Sequence, residues 1–442
     1  MTTAIALFTR DLRVRDNPVL AAAHRGADRI VPLFVLDDTM LHTTAHGRPN
    51  RFGFLCDALR DLDASLRARG GALVVRRGDW VREVARVAGE SGAGTVHVAR
   101  DVSMYAQTRL ARLAAAGGFT VQPHESVTVL PGETFGKPYV IFTPYYKRWI
   151  DTPWRSLAPM PKQLTVADGL ASEPIPDARP PDSWEGGETA GLARLKAWTP
   201  KGLPAYDELR DSPGGDHTSR LSPYLHFGCV SPVEVAGRLR DRDGGAPWVR
   251  QVCWRDFYSQ LLHWRPETST EDVRVKGAPV WRNAPGDLEA WKSGRTGFPF
   301  VDAAMRQLRG EGWMHNRVRM VTASFLTKDL QIDWREGAAH FMDLLVDGDV
   351  ANNQLGWQWV AGTGTDTNPH RVLNPTVQGR RHDPDGVYLR RWLPELRDLP
   401  GDADLHDPPP EVRRACDYPD PLVDHHEAIE QWRESRAQRA AG

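Results

Sequence analysis

The sequence predicts an α/β protein: an N-terminal parallel-sheet domain, a long linker, then an all-helical domain. Three observations predict it. Short continuous apolar runs alternate with helical periodicity up to about residue 125. Prolines 159, 161, 174, 176, 180 and 181 then break any long element. Beyond about residue 200 the strand runs stop and apolar residues recur at helical spacing. The expected divisions are 1–128 for the sheet domain, 129–199 for the linker, 200–425 for the helical domain and 426–442 for a C-terminal helix and tail.

Four apolar runs read as strands: Ala4-Ile5-Ala6-Leu7-Phe8, then residues 30–36, 72–75 and 95–98. Strands covered by helices on both faces need no polar alternation. Between them Phe54, Leu55, Ala58, Leu59, Leu62 and Leu66 mark one helix, which Gly70-Gly71 can cap. Residues 81–87 and 105–113 supply two more. The series is βαβ, hence a Rossmann-like sheet. However, Thr9-Arg10-Asp11-Leu12-Arg13 follows the first strand, where a dinucleotide fingerprint would place glycines. Its charges read equally as a solvated ion-pair cluster or a functional loop. Within the linker, Phe142-Thr143-Pro144-Tyr145-Tyr146-Lys147-Arg148-Trp149 is an aromatic-basic patch with local structure. Helical periodicity then covers residues 233–239, 249–262, 300–308, 315–326 and 338–345, and a final helix is expected at 427–440.

Of 442 residues, 40% are apolar and 26% charged, the balance of a soluble globular protein with chain enough for sizeable cores. No apolar run is long enough for a membrane span. The N-terminus enters a strand without the regions of a signal peptide. Cys56, Cys229, Cys253 and Cys416 are scattered without a CxxC pair, so each reads as a small buried hydrophobe in a reducing cytoplasm, not a zinc or iron–sulfur ligand. A net charge of −1 neither announces nor excludes nucleic acid. A monomer is expected.

Four stretches carry polar chemistry beside aromatics. Residues 347–359 place two carboxylates, two adjacent Asn and two Trp within 13 positions, a mixture suited to a flat ring with polar edges. Thr218-Ser219-Arg220-Leu221-Ser222 precedes a helix start and reads as an N-cap or as a phosphate loop. Gln251, Trp254, Arg255 and Tyr258 share one helix face. Trp313-Met314-His315-Asn316-Arg317 adds hydrogen-bonding groups that suit bases or phosphates, with His315 structural by default.

Together these stretches resemble the photolyase/cryptochrome flavoproteins. The resemblance rests on Met314-His315-Asn316-Arg317, Asp347-Gly348-Asp349, Asn352-Asn353, Gly356-Trp357-Gln358-Trp359 and Thr363-Gly364-Thr365-Asp366. Thr218–Leu225, Trp254-Arg255-Asp256-Phe257-Tyr258, Asp302–Leu308 and Arg10-Asp11-Leu12-Arg13 extend it over nearly the whole chain, nearest to the bacterial class I cyclobutane pyrimidine dimer photolyases. It implies an FAD-binding helical domain, UV-damaged DNA as partner, no membrane, and light-driven electron transfer to a dimer. The cofactor contacts it implies are Tyr206, Thr218, Ser219, Arg220, Leu221, Ser222, Trp248, Arg255, Arg319, Asp347, Asp349 and Asn353. In this scheme Arg319 can pair with Asp347, and Asn353 faces flavin N5 and counts with the catalytic groups. Trp281, Trp334 and Trp357 match an electron-transfer triad. Gln251, Trp254, Asn316, Arg317, Met320 and Trp359 match the lesion face.

Gln251 departs from the Glu typical of dimer photolyases, and an amide cannot transfer a proton. The pattern His315-Asn316-Arg317 nevertheless follows dimer repair. The alternatives are (6-4) photoproduct repair and a cryptochrome-type light sensor. Arg51 and Asp101 resemble antenna-binding positions and favour 8-hydroxy-5-deazaflavin. Methenyltetrahydrofolate is the alternative, although Tyr105-Ala106 replace the Asn-Glu pair of folate-binding members.

Overall fold

The computed structural model describes residues 1–42, 48–215, 217–274, 280–400 and 403–441. The chain forms two compact units, and neither is one continuous stretch. The first comprises Met1–Pro204, Ser219–Pro266 and Val346–Asp349; the second comprises Ala205–Thr218, Glu267–Leu345 and Val350–Gly442.

In the first unit, β1 (Thr3–Leu7), β2 (Arg29–Asp37), β3 (Val74–Gly78), β4 (Ala93–Ala99) and β5 (Thr120–His124) form one parallel sheet in the order β3-β2-β1-β4-β5. Its two inner neighbours align Leu7 with Leu33 and with Val98. The four apolar runs correspond to β1–β4, with β3 shifted toward Arg76 and Arg77. The sequence showed no sign of β5, whose residues are mostly exposed and include Pro123. An edge strand needs no continuous apolar run and tolerates a proline. Helices over the sheet start where side chains accept an otherwise free N–H: Asn17 Oδ1 from Leu20, Asp79 from Arg82 and Ser103 from Ala106. Ile5, Leu7, Leu33, Val84, Val96 and Val98 pack in the resulting core.

The charged loop after β1 is not a solvated cluster. Asp11 and Arg13 are buried, and Arg13 donates to the carbonyl oxygens of Asp16, Gly228 and Ser126. The linker is also ordered. It contains the helices Phe142–Asp151 and Glu188–Gly202, and Val166 bridges in parallel to Ile30 of β2.

In the second unit, helices Pro299–Glu311, Asn316–Ser324, Trp334–Leu344 and Val350–Ala361 share one apolar core. The periodicity read over 315–326 divides into the Asn316–Ser324 helix and a π-helical turn, Phe325–Asp329. Such a turn shifts the helical faces, but all five of its residues are buried, so the sequence shows no alternation that would reveal it. Among the described residues, no helix is long and apolar enough to cross a membrane.

Candidate functional site

The Gly245–Trp264 helix carries one half of the predicted chemistry in the first unit. Gln251, Trp254, Arg255 and Tyr258 are all half-buried, while Val252, Cys253, Asp256 and Phe257 are buried. The Trp254 indole stacks on Phe142 of the linker patch, with centroids 3.7 Å apart and planes 3° from parallel. One face of Trp254 is therefore covered by protein. The Arg250 guanidinium lies over Phe142 and Tyr146, 5.2 and 5.0 Å from their centres. Arg255 donates to the carbonyl oxygens of Val127 and Leu225.

The residue that seats this helix was not assigned from sequence. Asp256 Oδ2 accepts from the Val129 and Leu130 N–H groups at 2.9 and 3.0 Å and from Trp149 Nε1 at 2.9 Å. Burial raises its carboxyl pKa to about 6 despite Arg255 nearby. An Asp amid helical apolar spacing looks like any surface acid in one dimension.

The Thr218–Ser222 loop is divided between the units after Thr218. Ser219 Oγ accepts from Trp248 Nε1 at 3.2 Å. The N-cap reading of the hydroxyls fails: the short Ser222–His226 helix has Leu221 at its N-cap and no side-chain cap bond. Arg220 holds φ +50°, a left-handed conformation, and Leu221 follows with φ −84° and ψ −2°. A non-glycine residue held there costs on the order of 1–3 kcal/mol. Left- and right-handed conformations in succession turn neighbouring N–H groups toward one concavity, which suits an anion such as a pyrophosphate.

Asp349 is buried at the end of the first unit's last segment. Arg10 bridges it to Asp101, with Nη2 2.5 Å from Asp349 and Nη1 2.9 Å from Asp101. His226 Nδ1 lies 3.9 Å from the Asp349 carboxylate. Arg51 is buried and acts on the same His226 electrostatically. Of the two antenna-matched residues, Asp101 belongs to the charged cluster around Asp349. Elsewhere in the unit, Tyr105 donates to Asp37, and Arg109 lies over Trp80 at 4.1 Å, closing a cleft at the end of β2.

The second unit holds the other half. Val350–Ala361 is a helix, so residues two apart point about 200° from each other. Trp357 accordingly enters the core, where Phe341 and Trp291 meet it edge-on at 4.9 and 6.0 Å. Trp359 stays half-buried with Arg371 over its ring at 5.4 Å. Gln358 between them is structural: it accepts from Val273 N–H and donates to the Thr268 and Glu271 carbonyls. Gly337 is required by Trp357, because a Cβ there would lie 2.2 Å from the indole. Trp334 is fully buried, donates to Asp272 at 2.8 Å and has Arg335 over its ring at 4.7 Å. Trp281 is partly buried against the same core. Trp291, absent from the sequence reading, is the indole in ring contact with Trp357; its spacing gave no signal among 16 tryptophans.

Asn353 donates both amide hydrogens, to the Ala338 carbonyl at 3.0 Å and to Gln354 Oε1 at 3.0 Å. Its own carbonyl oxygen is left to accept. His315 caps the Asn316–Ser324 helix through Nδ1, which accepts from Arg317 N–H at 3.2 Å, and burial lowers its pKa to about 4. This contact supports the structural reading of His315. Arg317 pairs with Asp211 at 2.7 Å, and Arg319 Nε donates to Met314 at 2.7 Å. Asn316 is exposed beside half-buried Met320, and Tyr206 is buried at the start of the Tyr206–Leu209 helix.

The fold is a Rossmann-like parallel-sheet unit and a helical unit whose core buries indoles around the Val350–Ala361 helix, the class of two-part α/β and all-α proteins. Residues 248–438 match the FAD binding domain of DNA photolyase, and residues 4–163 match DNA photolyase. The deoxyribodipyrimidine photo-lyase of Streptomyces griseus is 50% identical, covering 99% of this chain and 99% of that protein. A bacterial class III photolyase from Agrobacterium tumefaciens superposes with TM-score 0.91 at 32% identity, covering 100% of this chain and 98% of that one. A cryptochrome from Synechocystis superposes with TM-score 0.89 at 30% identity, covering 98% of each chain. The chain belongs to the DNA photolyase family.

Proposed function

We infer that this protein repairs cyclobutane pyrimidine dimers in DNA by light-driven electron transfer, with FAD as its cofactor. One observation carries the reading: the 50% identity to a deoxyribodipyrimidine photo-lyase spans 99% of the chain. Bound and reduced FAD supplies, on absorbing blue light, the electron that opens the cyclobutane ring and receives it back afterwards.

The residues present fit that cofactor. The Arg220–Leu221 turn offers N–H groups to a pyrophosphate. Asp347 and Asp349 can accept hydrogens from the sugar-like chain or the ring. In our reading Arg319 would supply a cation to the cofactor, and Asn353 would offer its carbonyl oxygen to a flavin N–H, since its amide hydrogens are already committed. Tyr206, Trp248 and Arg255 complete the contacts.

The dimer must leave the duplex stack, at a cost of roughly a few kcal/mol that is smaller for a damaged pair. In the second unit Trp359, Asn316 and Met320 would contact it; in the first, the Trp254 face turned away from Phe142 would. Arg317 would reach a phosphate while sharing its charge with Asp211. Trp281, Trp334 and Trp357 would relay electrons to oxidised flavin. At Trp334 the Asp272 carboxylate favours an electron-poor indole and the Arg335 cation opposes it. For the antenna we favour 8-hydroxy-5-deazaflavin over methenyltetrahydrofolate, using Arg51 and Asp101; the absorption maximum of the purified holoprotein separates the two.

The test is blue-light illumination of the reduced holoprotein with a dimer-containing oligonucleotide. Dimers are expected to disappear; their persistence with FAD bound and reduced rejects repair. Gln251 supports the second reading, a sensor or (6-4) enzyme, because it lacks the acid that steadies a dimer radical anion. Gln251→Glu is expected to raise the dimer-repair yield severalfold, as a positioned acid does for a proton-sensitive step. An unchanged or lower yield refutes this account of the position, and activity on (6-4) lesions alone supports the second reading.

A further inference from the structure

The sheet reverses its strand order beside β1: β2 and β3 lie on one side, β4 and β5 on the other. In doubly wound sheets, ligands settle outside the strand carboxyl ends at such a switch point, where the loops diverge. Here the two diverging loops supply Arg10, just past the end of β1, and Asp101, just past the end of β4. The group received between them belongs to the chain itself: the Asp349 carboxylate, 339 positions after Arg10.

All three guanidinium nitrogens are committed. Nε donates to the His226 carbonyl at 3.0 Å, Nη1 to Asp101 at 2.9 Å and Nη2 to Asp349 at 2.5 Å. A planar fork can hold two acids at a fixed angle, which a single ammonium cannot. We propose that Arg10 is a positioning residue for FAD: it clamps Asp349 against Asp101 at the switch point and keeps Asp349 an acceptor-only carboxylate for a hydrogen of the cofactor. The proposal rests on the reading of Asp349 as an FAD contact.

The surroundings of Asp349 show what the clamp opposes. Burial pushes its pKa up, while Arg10, His226 and Arg255 pull it down and hold it well below the usual carboxylate range. Asp101 faces the same guanidinium and competes for its charge. Burial lowers His226 to about 4, so near neutrality this ring adds no charge, while Arg10 is a cation in direct contact. Sign follows from this. A depressed carboxylate pKa keeps FAD retention present above that pKa and removes it as pH falls through it. Without Arg10 the same loss occurs at higher pH.

The experiment measures FAD retained by the purified holoprotein, by flavin absorbance after gel filtration, as a function of pH. For Arg10→Gln the pH of half-release is expected to rise by roughly 1–3 units, the usual effect of removing an adjacent opposite charge. Arg10→Lys, which keeps one charge and loses the fork, is expected to fall between Arg10→Gln and the parent. Asp101→Asn leaves Arg10 wholly to Asp349 and is expected to move the midpoint down, whereas a general loosening of the loops would move every variant up. Parent-like curves for both Arg10 variants, or an upward shift for Asp101→Asn, overturn the proposal. Asp349→Asn separates the two levels of inference. Weak, pH-independent retention supports the FAD contact whatever Arg10 does, and parent-like retention defeats that contact and the clamp with it.

Discussion

A Trp357→Phe variant is expected to lose photoreduction of oxidised FAD while repairing dimers normally once its flavin has been reduced chemically. Trp357 is 3% exposed in the second unit, and Phe341 and Trp291 meet it edge-on. Benzene is much harder to oxidise than indole, so a Phe there keeps the shape and removes the electron source. Each added 1.4 kcal/mol of barrier slows the step about tenfold, and we expect at least that loss in photoreduction rate. Repair of the dimer draws its electron from flavin that is already reduced, so it does not pass through Trp357. Continuous illumination of the oxidised holoprotein with a reductant, followed by flavin absorbance, reads the first effect; a chemically reduced sample given dimer DNA reads the second. Photoreduction at the parent rate would remove Trp357 from the relay. Loss of both activities would show that the substitution had disturbed the pocket.

An Asp256→Ala variant is expected to lose about 3–5 kcal/mol of stability, as for a buried charged network with one partner removed. Its carboxylate accepts from two backbone N–H groups and one indole N–H, all buried, and none has water to turn to. These bonds tie the helix bearing Gln251, Trp254 and Arg255 to residues 129–130 and to Trp149. Denaturant unfolding measures the loss directly. A change below about 0.5 kcal/mol, the range of surface substitutions, would refute the role of Asp256 as an anchor. Asp256→Asn, which keeps an acceptor oxygen, is expected to lie between Ala and the parent.

Much of the architecture was legible because it is written in local patterns. Apolar runs located β1–β4, and helical spacing located the principal helices of both units. The juxtaposed Asp, Asn and Trp of residues 347–359 marked a polar-aromatic segment, and the helix Val350–Ala361 sends Trp357 inward and leaves Trp359 half-buried by geometry alone. His315, read by default as structural, caps the Asn316–Ser324 helix through Nδ1. By contrast, β5 and the π-helical turn left no mark, because an exposed edge strand has no apolar run and a turn buried on all five residues shows no alternation of faces.

The residues themselves therefore determined the fold class and the family. Only the tertiary structure decided which chemistry-bearing groups meet. Phe142 covers one face of Trp254, Asp256 seats the helix beneath them, and Arg10 closes on Asp349. Each contact joins positions more than 100 apart, where no periodicity or capping rule reaches. A charged side chain in a loop has the same local signature whether water or a distant carboxylate surrounds it, and burial, which settles the difference, exists only once the chain has folded.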